Sequence, residues 1–393
     1  MQFDEAYFDQ GLDRRNTQCE KWDDRGVMLP DGIPLWVADM DFPCAPGVME
    51  AIRRRAQHPC FGYGSDAAAE SCADALRAFW RRRHHLALQA EQVLSLPCVI
   101  TGLKTCVRAF TREGDSVAMF TPVYGPFYQS VLLNGRKVAA VPLAADAGGR
   151  YPMNLTGMEE ALRGGARLIL LCNPHNPLSR LWTKEELTAL ANLAERYDVK
   201  IVSDEIHADF VYAPGAFTPL LSIEKARERA VMLCAASKTF NLAGLQQAAA
   251  VIVNGEMRRK VQDSIAAGGI TSGNAFALAA TEAAYRTGDD WLDGLLSYLD
   301  GSRGLLADFV ADRLPLARMA PVEATYLSWL DLKAFGFSCR ELKERCYRQG
   351  VAFTMGDFFG PEGEGCLRVN FGCPRTQLIA GMERLLRALK EEK

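Results

Sequence analysis

The sequence lacks the features that mark several large classes of protein. It has no C-x-x-C pair and no Cys/His ladder, so its twelve cysteines predict no metal site. No apolar run approaches the roughly 20 residues that a membrane helix needs. The first ten residues are acidic and lack the apolar stretch of a secretory signal. There is no basic excess, because 45 Lys and Arg stand against 48 Asp and Glu, and this argues against a nucleic-acid surface.

What remains is the composition of an ordinary enzyme. The chain has 393 residues, of which 49% are hydrophobic and 24% are charged. That length predicts two domains, or one large α/β domain with a smaller companion. Cysteines such as Cys172 and Cys234 lie in apolar contexts, where a free thiol behaves as a small hydrophobic group. We therefore expect reduced thiols and a cytoplasmic protein.

Five short apolar runs alternate with helical patterns. Their length, their continuity and the flanking helices are typical of strands buried on both faces, as in a parallel sheet. One intervening helix has a clear start, since Thr183 and Glu186 form a T-x-x-E capping box. The five runs are residues 116–120, 167–172, 199–203, 230–235 and 248–253.

Side chains that can bind or react with a ligand follow four of these runs. Because ligands of open α/β sheets bind beyond the carboxyl ends of the strands, we expect these side chains to meet in one cleft. In chain order they are Tyr124, then Asn173 and Asn176, then Asp204 and His207, then Ser237 and Lys238.

Each of these residues also has a common structural explanation. A single lysine after a strand is more often a solvated loop residue, and an aspartate that begins a helix is most often an N-cap. A tyrosine in a Pro/Gly-rich turn usually packs, and an asparagine before proline usually serves the turn. The complete set in this order is far less expected by chance than any one member.

A phosphorylated pyridine aldehyde matches this set of side chains. The amine of Lys238 can form a Schiff base with a carbonyl, and burial lowers a lysine's pKa so that it acts as nucleophile and base. A carboxylate such as Asp204 keeps a pyridine nitrogen protonated, which makes the ring an electron sink. Tyr124 can stack on the ring. The stretch CVITGLKTCVRAF, residues 98–110, offers backbone N–H groups at a helix start for the phosphate.

The motifs SDEIHADF, AASKTFNLAGL, NPHNP and TPVYGPF resemble those of fold-type I pyridoxal-phosphate enzymes in the class I/II aminotransferase superfamily. The resemblance covers nearly the whole chain. It narrows with LDRRNTQCEKWD, IPLWVADMDF, FGYG and EATYLSWLDL, which resemble the MalY/PatB-type cystathionine β-lyases. These are C–S lyases on the aminotransferase fold. The implied architecture is an α/β large domain with a mainly parallel sheet and a small α+β domain.

The resemblance implies roles for the residues that match the family motifs. Lys238 would form the Schiff base with pyridoxal phosphate. Asp204 would pair with the pyridinium nitrogen, and Tyr124 would stack on the ring. Asn176 and His207 would contact the ring hydroxyl, with His207 standing where many aminotransferases have tyrosine.

The same resemblance implies how the phosphate is held. The backbone amides of Val99 and Ile100, together with Ser237, would bind it. Tyr63 would reach the phosphate of a neighbouring subunit and would also lie near the substrate. A homodimer with active sites near its interface is therefore implied.

Two further residues are candidates for binding the substrate. Arg368, in LRVNFGCPR, would clamp the substrate carboxylate, a task that suits a planar bidentate donor. Without the family resemblance, a purely structural role at the edge of a strand would account for Arg368 equally well. Asp39, which precedes Met40 and Asp41 in PLWVADMDF, would line the substrate entrance, and a capped turn explains it equally well.

Three positions depart from common family patterns. Many aminotransferases have an arginine eight residues after the lysine, where this chain has Gln246; the C–S lyases also tend to lack it, which favours the lyase. The usual glycine of N-P-x-G is Ser179 here. Cys98 replaces a glycine that usually precedes the two apolar residues of the phosphate loop, so cofactor affinity is the property placed in doubt.

Three functions stay open at this stage. The favoured one is a β-lyase that cleaves cystathionine or related cysteine conjugates to pyruvate, ammonia and a thiol. A class I/II aminotransferase shares every step up to the carbanion, and a regulatory binding protein on the same fold is a third possibility. The expected domains are an N-terminal arm with part of the small domain (1–45), a large cofactor domain (46–285) and a small C-terminal domain (286–393).

Overall fold

The computed structural model describes residues 3–24, 31–271 and 273–391. These residues form twelve strands in two sheets. The strands are β1 Ile33–Leu35, β2 Val93–Leu96, β3 Ser116–Thr121, β4 Lys137–Pro142, β5 Ala166–Cys172, β6 Lys200–Asp204, β7 Ala230–Cys234, β8 Ala248–Val251, β9 Arg318–Met319, β10 Leu327–Asp331, β11 Val351–Met355 and β12 Cys366–Asn370.

Fifteen α-helices of the described chain cover and connect these strands. They are α1 Glu5–Asp9, α2 Glu20–Asp23, α3 Pro46–Gln57, α4 Asp66–His84, α5 Val99–Phe110, α6 Pro126–Leu132, α7 Leu155–Arg163, α8 Lys184–Arg196, α9 Glu224–Arg227, α10 Ala236–Thr239, α11 Gly255–Ala267, α12 Ala275–Thr287, α13 Asp289–Arg313, α14 Cys339–Arg348 and α15 Arg375–Lys390. The capping box expected at Thr183 and Glu186 is confirmed at the start of α8. No helix among the described residues is both long and apolar enough to cross a membrane.

The large sheet has seven strands in the order β2-β8-β7-β6-β5-β3-β4. Strands β3 to β7 run parallel to one another, as the apolar runs predicted. The expectation of a parallel strand near residues 248–253 is wrong, because β8 pairs antiparallel with both β7 and β2. A strand buried on both faces is apolar throughout in either direction, so its sequence does not reveal its orientation.

Both faces of the large sheet are buried, and the strand residues alternate between two apolar cores. Along β5, Leu168 and Leu170 pack into the core that contains α5, whereas Ile169 and Leu171 pack into the opposite core. This alternation is the two-residue period of an extended chain. Helices on both faces leave the strand ends as the accessible edge of the sheet.

The small sheet joins the two ends of the chain. Its order is β1-β11-β12-β10-β9, with β1 parallel to β11 and the other pairs antiparallel. Strand β10 lies within the motif EATYLSWLDL, β12 carries Arg368, and α15 is the last helix of the described chain. The segment that follows β1, residues 36–41, continues to the carboxyl edge of the large sheet.

Candidate active site

Two adjoining cavities lie at the carboxyl ends of β3, β5, β6 and β7. The inner cavity has a volume of about 160 Å³ and the outer cleft about 1050 Å³. Their linings share Ala38, Tyr124, Lys238 and Ala243. The inner cavity brings together most of the residues expected at the cofactor, namely Val99, Ile100, Tyr124, Asn176, Asp204, His207, Ser237 and Lys238.

Lys238 lies where the two cavities meet. It sits on the short helix α10, which begins two residues after β7 ends. Its Nζ donates a hydrogen bond to the backbone oxygen of Ala38 at 2.5 Å, and that oxygen also accepts from the hydroxyl of Tyr326 at 2.9 Å. Burial lowers the pKa of Lys238 to about 8, although the nearby Asp39 carboxylate opposes this shift. A useful fraction of the amine is therefore unprotonated near neutral pH.

Asp204 ends β6 and is almost fully buried. Burial raises the pKa of Asp204 to about 7, and the backbone N–H of Ile206, which donates to Oδ1 at 3.1 Å, and the charge of Lys238 partly oppose it. The ionised form of a carboxylate in this position is stabilised by any cation that enters the inner cavity.

His207 follows Asp204 by three residues and is 3% exposed. Burial, with the positive charges of Lys238 and Arg368, lowers the pKa of His207 to about 3, so the imidazole is neutral at physiological pH. Its Nδ1 has no hydrogen-bond partner in the described part of the chain. The ring lies 5.9 Å from that of Tyr326. A buried imidazole with a free nitrogen is suited to bind a polar group of a ligand.

Arg368 reaches the site from β12 of the small sheet. Its Nη1 donates to Oδ1 of Asn176 at 3.0 Å, and its Nη2 donates to the backbone oxygen of Trp36 at 2.8 Å and to Thr354 Oγ1 at 3.2 Å. The guanidinium also lies over the ring of Phe359 at 5.0 Å.

Arg368 is 2% exposed, and no carboxylate of the described residues pairs with its guanidinium. Burial lowers its pKa to about 10, which still leaves it charged at neutral pH. A buried cation without a counterion is costly, so an anionic ligand group is stabilised here.

The first turn of α5 forms another wall of the inner cavity. Val99 and Ile100 are the first two helical residues, and the side chain of Cys98 caps the helix by accepting from Thr101 N at 3.5 Å. The unpaired amides of a first helical turn favour an anion. Cys98 has φ −160° and ψ 163°, an extended conformation that any residue adopts, so this position does not require glycine.

The other two departures from the family pattern both have left-handed backbone. Ser179 has φ 53°, a region that favours glycine, and its hydroxyl is hydrogen-bonded to the backbone oxygen of Leu327 and lies 3.2 Å from Thr325 Oγ1. These contacts help to hold serine in a glycine-type conformation. Gln246 has φ 58° and lines the inner cavity where many aminotransferases have arginine.

Besides Arg368, which lines the outer cleft, two of the expected site residues lie apart from the inner cavity. Tyr63 is fully exposed, and among the described residues it lines neither cavity. Asp39 lines the outer cleft, but Arg14 binds both of its carboxylate oxygens, at 2.9 and 2.8 Å. Their roles toward cofactor and substrate stay predictions.

The structure adds residues that the sequence did not single out. The backbone oxygen of Ala38 binds Lys238, and Trp36 and Thr354 hold Arg368. The ring of Phe358 lies 5.9 Å from that of Tyr124 and lines the outer cleft. The motif IPLWVADMDF contains Trp36 and Ala38 and was the available signal, but a backbone carbonyl leaves no trace in side-chain chemistry.

Comparison with known proteins gives the family. A family model for class I and II aminotransferases matches residues 30–385. Cystathionine β-lyase PatB of Bacillus subtilis strain 168 is 38% identical over 387 residues, 97% of this chain and 99% of that protein. Protein MalY of Escherichia coli K12 is 33% identical over 389 residues, 98% of each.

A solved structure agrees. The PLP-bound C–S lyase from Staphylococcus hominis superposes with a TM-score of 0.90 at 28% identity, covering 98% of this chain and 99% of that one. The resemblance that the motifs indicated is therefore confirmed. The chain belongs to the class I and II aminotransferase family, in which it is similar over nearly its full length to proteins named cystathionine β-lyase.

Proposed function

We propose that this chain is a pyridoxal-phosphate-dependent C–S β-lyase that converts cystathionine, or a related cysteine S-conjugate, to pyruvate, ammonia and a thiol. The full-length similarity to proteins named cystathionine β-lyase and to a PLP-bound C–S lyase supports this class. The observation that carries it is the juxtaposition of a partly unprotonated Lys238 with the buried carboxylate of Asp204 and the unpaired guanidinium of Arg368.

The residues of the inner cavity fit pyridoxal phosphate. Asp204 would face the ring nitrogen, because a buried carboxylate favours a protonated pyridine. The free nitrogen of His207 and the amide of Asn176 would hold the ring hydroxyl, and Tyr124 would cover one ring face. The phosphate would lie on the first turn of α5 beside Ser237. When bound, the cofactor supplies an aldehyde that condenses with amines and a protonated ring that withdraws electrons from the substrate's Cα.

Arg368 orients the substrate. Its guanidinium is already fixed by Asn176, Trp36 and Thr354, so little side-chain freedom is lost when it binds a carboxylate. Arg368 and Lys238 both line the outer cleft, so a substrate held by Arg368 would be presented to Lys238. The volume of that cleft leaves room for the substituent on the sulfur.

Lys238 moves the proton. Its lowered pKa lets the free amine remove the proton from Cα as a general base. The resulting ammonium would stabilise the negative charge that develops on the departing thiolate. Phe358 and Tyr124, whose rings lie 5.9 Å apart, line this part of the outer cleft.

We also propose that the protein is a cytoplasmic homodimer. The fully exposed Tyr63 and the half-exposed Phe61 are aromatic groups that a second subunit would cover, and this supports Tyr63 as a group donated across an interface. The twelve cysteines are all free thiols, which suits a reducing compartment. We further propose domain boundaries at residues 45 and 285, which separate the strands of the large sheet from those of the small sheet.

The deciding experiment incubates the purified protein with pyridoxal phosphate and L-cystathionine, and measures pyruvate and free thiol together. We expect equimolar products from the wild type and none from Lys238→Ala. The matched control is Lys260→Ala, which removes an exposed lysine paired with Glu256 on α11 and which we expect to retain full activity. If neither product forms but L-amino acids convert the bound cofactor to its amine form, the protein is an aminotransferase and the proposal is wrong.

A further inference from the structure

A closed cluster of charges lies beside the carbonyl that binds Lys238. We call it the arm cluster, and it consists of Arg14, Lys21, Asp39 and Asp41. Two of its members come from LDRRNTQCEKWD and two from PLWVADMDF, motifs whose function the cofactor chemistry does not explain.

Every member of the arm cluster has a close partner of opposite charge. Arg14 binds Asp39 through both terminal nitrogens and also reaches Asp41 Oδ1 at 2.8 Å. Lys21 Nζ lies 2.9 Å from Asp41 Oδ2 and 3.6 Å from Asp39 Oδ1. Two positive and two negative charges therefore balance within one cluster.

The cluster is largely sealed from water. The side chains of Lys21 and Asp41 are 0% and 1% exposed, and that of Arg14 is 14% exposed. Two further donors, Trp22 Nε1 at 3.0 Å and Gln377 Nε2 at 2.8 Å, satisfy Asp41. Because a buried charge that loses its partner is strongly unfavourable, the cluster is stable only when it is complete.

The arm cluster is connected to the catalytic lysine by covalent and hydrogen-bonded neighbours. Asp39 directly follows Ala38, whose backbone oxygen accepts from Lys238. Burial would raise the pKa of Asp39, but the hydrogen bonds from Arg14 and the charge of Lys21 outweigh it and keep the pKa below its usual value. Asp39 thus presents a negative charge next to the amine.

The same cluster anchors one wall of the outer cleft. Arg14 lines that cleft together with residues 17–20, which lie between the two cluster members Arg14 and Lys21. Lys21 also donates to the backbone oxygen of Asp39 at 3.1 Å, and Asn370 donates to the same oxygen at 2.7 Å. The segment before α2 is therefore fixed to the segment after β1 that carries Ala38.

We propose that Arg14 is a positioning residue of the active site, which holds Asp39 so that the Ala38 carbonyl binds Lys238 and residues 17–20 wall the substrate cleft. This inference rests on the proposed function, since it concerns the same lysine and cleft. It assigns a role in catalysis to Arg14, which acts on Lys238 through Asp39 and the neighbouring Ala38 carbonyl.

The charges around Lys238 decide the direction of each effect. Asp39, Asp204 and Glu20 face it with negative charge, and Arg368 faces it with positive charge, whereas His207 is neutral. Arg14 neutralises much of the Asp39 charge. Loss of Arg14 therefore strengthens the pull of Asp39 on the ammonium, and loss of the Asp39 charge weakens it.

The test compares Arg14→Gln with Asp39→Asn in the full-length protein. The first readout is the pH midpoint of Lys238 acylation by a water-soluble reagent without cofactor, followed by peptide mass spectrometry. We expect the midpoint to rise by about one pH unit in Arg14→Gln and to fall by a similar amount in Asp39→Asn. The second readout is KM of the cofactor-loaded enzyme, which we expect to rise about fivefold or more in Arg14→Gln.

The matched control is Arg136→Gln. Arg136 is a half-buried arginine that donates to Thr111 at the opposite edge of the large sheet, so its loss lowers stability alone. If Arg14→Gln behaves like this control, with unchanged midpoint and KM, the inference is overturned. If Arg14→Gln does not fold, Arg14→Lys keeps the charge but loses the forked contact, and an unchanged KM in that variant overturns the inference equally. The acylation midpoint does not depend on lyase activity, so failure of the proposed function leaves a separate signature.

Discussion

Burial sets the charge of each ionisable side chain around the inner cavity. It lowers the pKa of Lys238 to about 8, raises that of Asp204 to about 7 and lowers that of His207 to about 3. The residues at the strand ends thus include an amine that releases its proton easily, a carboxyl group whose ionised form a cation would stabilise, and a neutral imidazole. Burial therefore gives each of the three groups a different protonation state and a different chemical use.

Arg368→Lys tests the carboxylate clamp at the level of a single residue. A lysine keeps the positive charge but cannot bind Asn176, Trp36 and a substrate carboxylate together, so one charged hydrogen bond is lost. Such a bond is worth about 1.5–3 kcal/mol, which predicts a rise in KM of about 10- to 150-fold. Steady-state kinetics with cystathionine measure it, and the exposed Arg108→Lys serves as control. An unchanged KM would place the substrate carboxylate elsewhere.

Glu205→Gln tests a buried carboxyl group that the proposed chemistry does not use. Glu205 is 1% exposed, and its Oε1 accepts from Ser203 Oγ and Leu220 N, both at 2.9 Å. Burial raises the pKa of Glu205 from its ordinary 4.5 to about 8. Between these values the folded protein binds more protons than the unfolded chain, so the free energy of unfolding falls as the pH rises, by up to about 1.4 kcal/mol per pH unit.

Glutamine keeps the same oxygen contacts without a charge and removes this pH dependence. We therefore expect Glu205→Gln to gain stability relative to the wild type between pH 5.5 and pH 8, as measured by urea unfolding of the cofactor-free chain. His175 and His207, whose pKa values burial lowers to about 4 and about 3, shift stability the other way. Because they are common to both proteins, they cancel in the comparison. A difference that does not change with pH would mean that Glu205 stays ionised in the fold.

At the level of elements, the sequence predicted the strands whose ends carry the chemistry. Apolar runs followed by polar residues located β3, β5, β6 and β7, and the carboxyl-edge rule then placed Tyr124, Asp204 and Lys238 in one cleft. The direction of β8 was not predictable, because both faces of that strand are buried. The edge strands β2 and β4, which mix exposed with buried residues, gave no comparable signal.

Long-range polar contacts were also beyond the sequence. Arg14 and Asp39 are 25 residues apart, and nothing local pairs them rather than other charges. The contact between Lys238 and the Ala38 carbonyl spans 200 residues and uses backbone chemistry common to every residue. Such contacts depend on the packing of the arm against both sheets.

The helix cap at Cys98 yields a prediction for α5. Since Cys98 has an extended backbone, Cys98→Gly should leave the dissociation constant of pyridoxal phosphate unchanged. Cysteine is a weak cap, so Cys98→Ser should raise the free energy of unfolding by about 0.5 kcal/mol. Fluorescence titration and thermal unfolding measure the two effects. Weaker cofactor binding by Cys98→Gly would show that the thiol itself supports the phosphate site.

At the scale of the whole molecule, the site is assembled from distant parts of the chain. The N-terminal arm supplies Ala38, the large sheet supplies Lys238, and the small sheet supplies Arg368. Tyr63 is fully exposed, and Phe61, which is 57% exposed, contacts Arg55 and Phe276 at its ring. Exposed aromatic side chains in such a segment are typical of a surface that a partner covers.

Mixing two inactive variants tests whether Tyr63 serves the site of a second subunit. If it does, Lys238→Ala and Tyr63→Ala homodimers are each defective, but a mixed dimer has one site with an intact Lys238 and an intact Tyr63. Random exchange makes half of the dimers mixed, with one working site each, so about one quarter of wild-type activity should return. Light scattering first establishes the dimer. The control mixes Lys238→Ala with Arg368→Ala: because both residues belong to the site of one chain, each site of the mixed dimer lacks one of them and no activity should return. Activity in this control mixture would mean that the two residues serve sites of different chains. Activity that stays at the level of the separate variants, despite exchange shown by mass-tagged subunits, would mean that Tyr63 acts within its own chain or not at all.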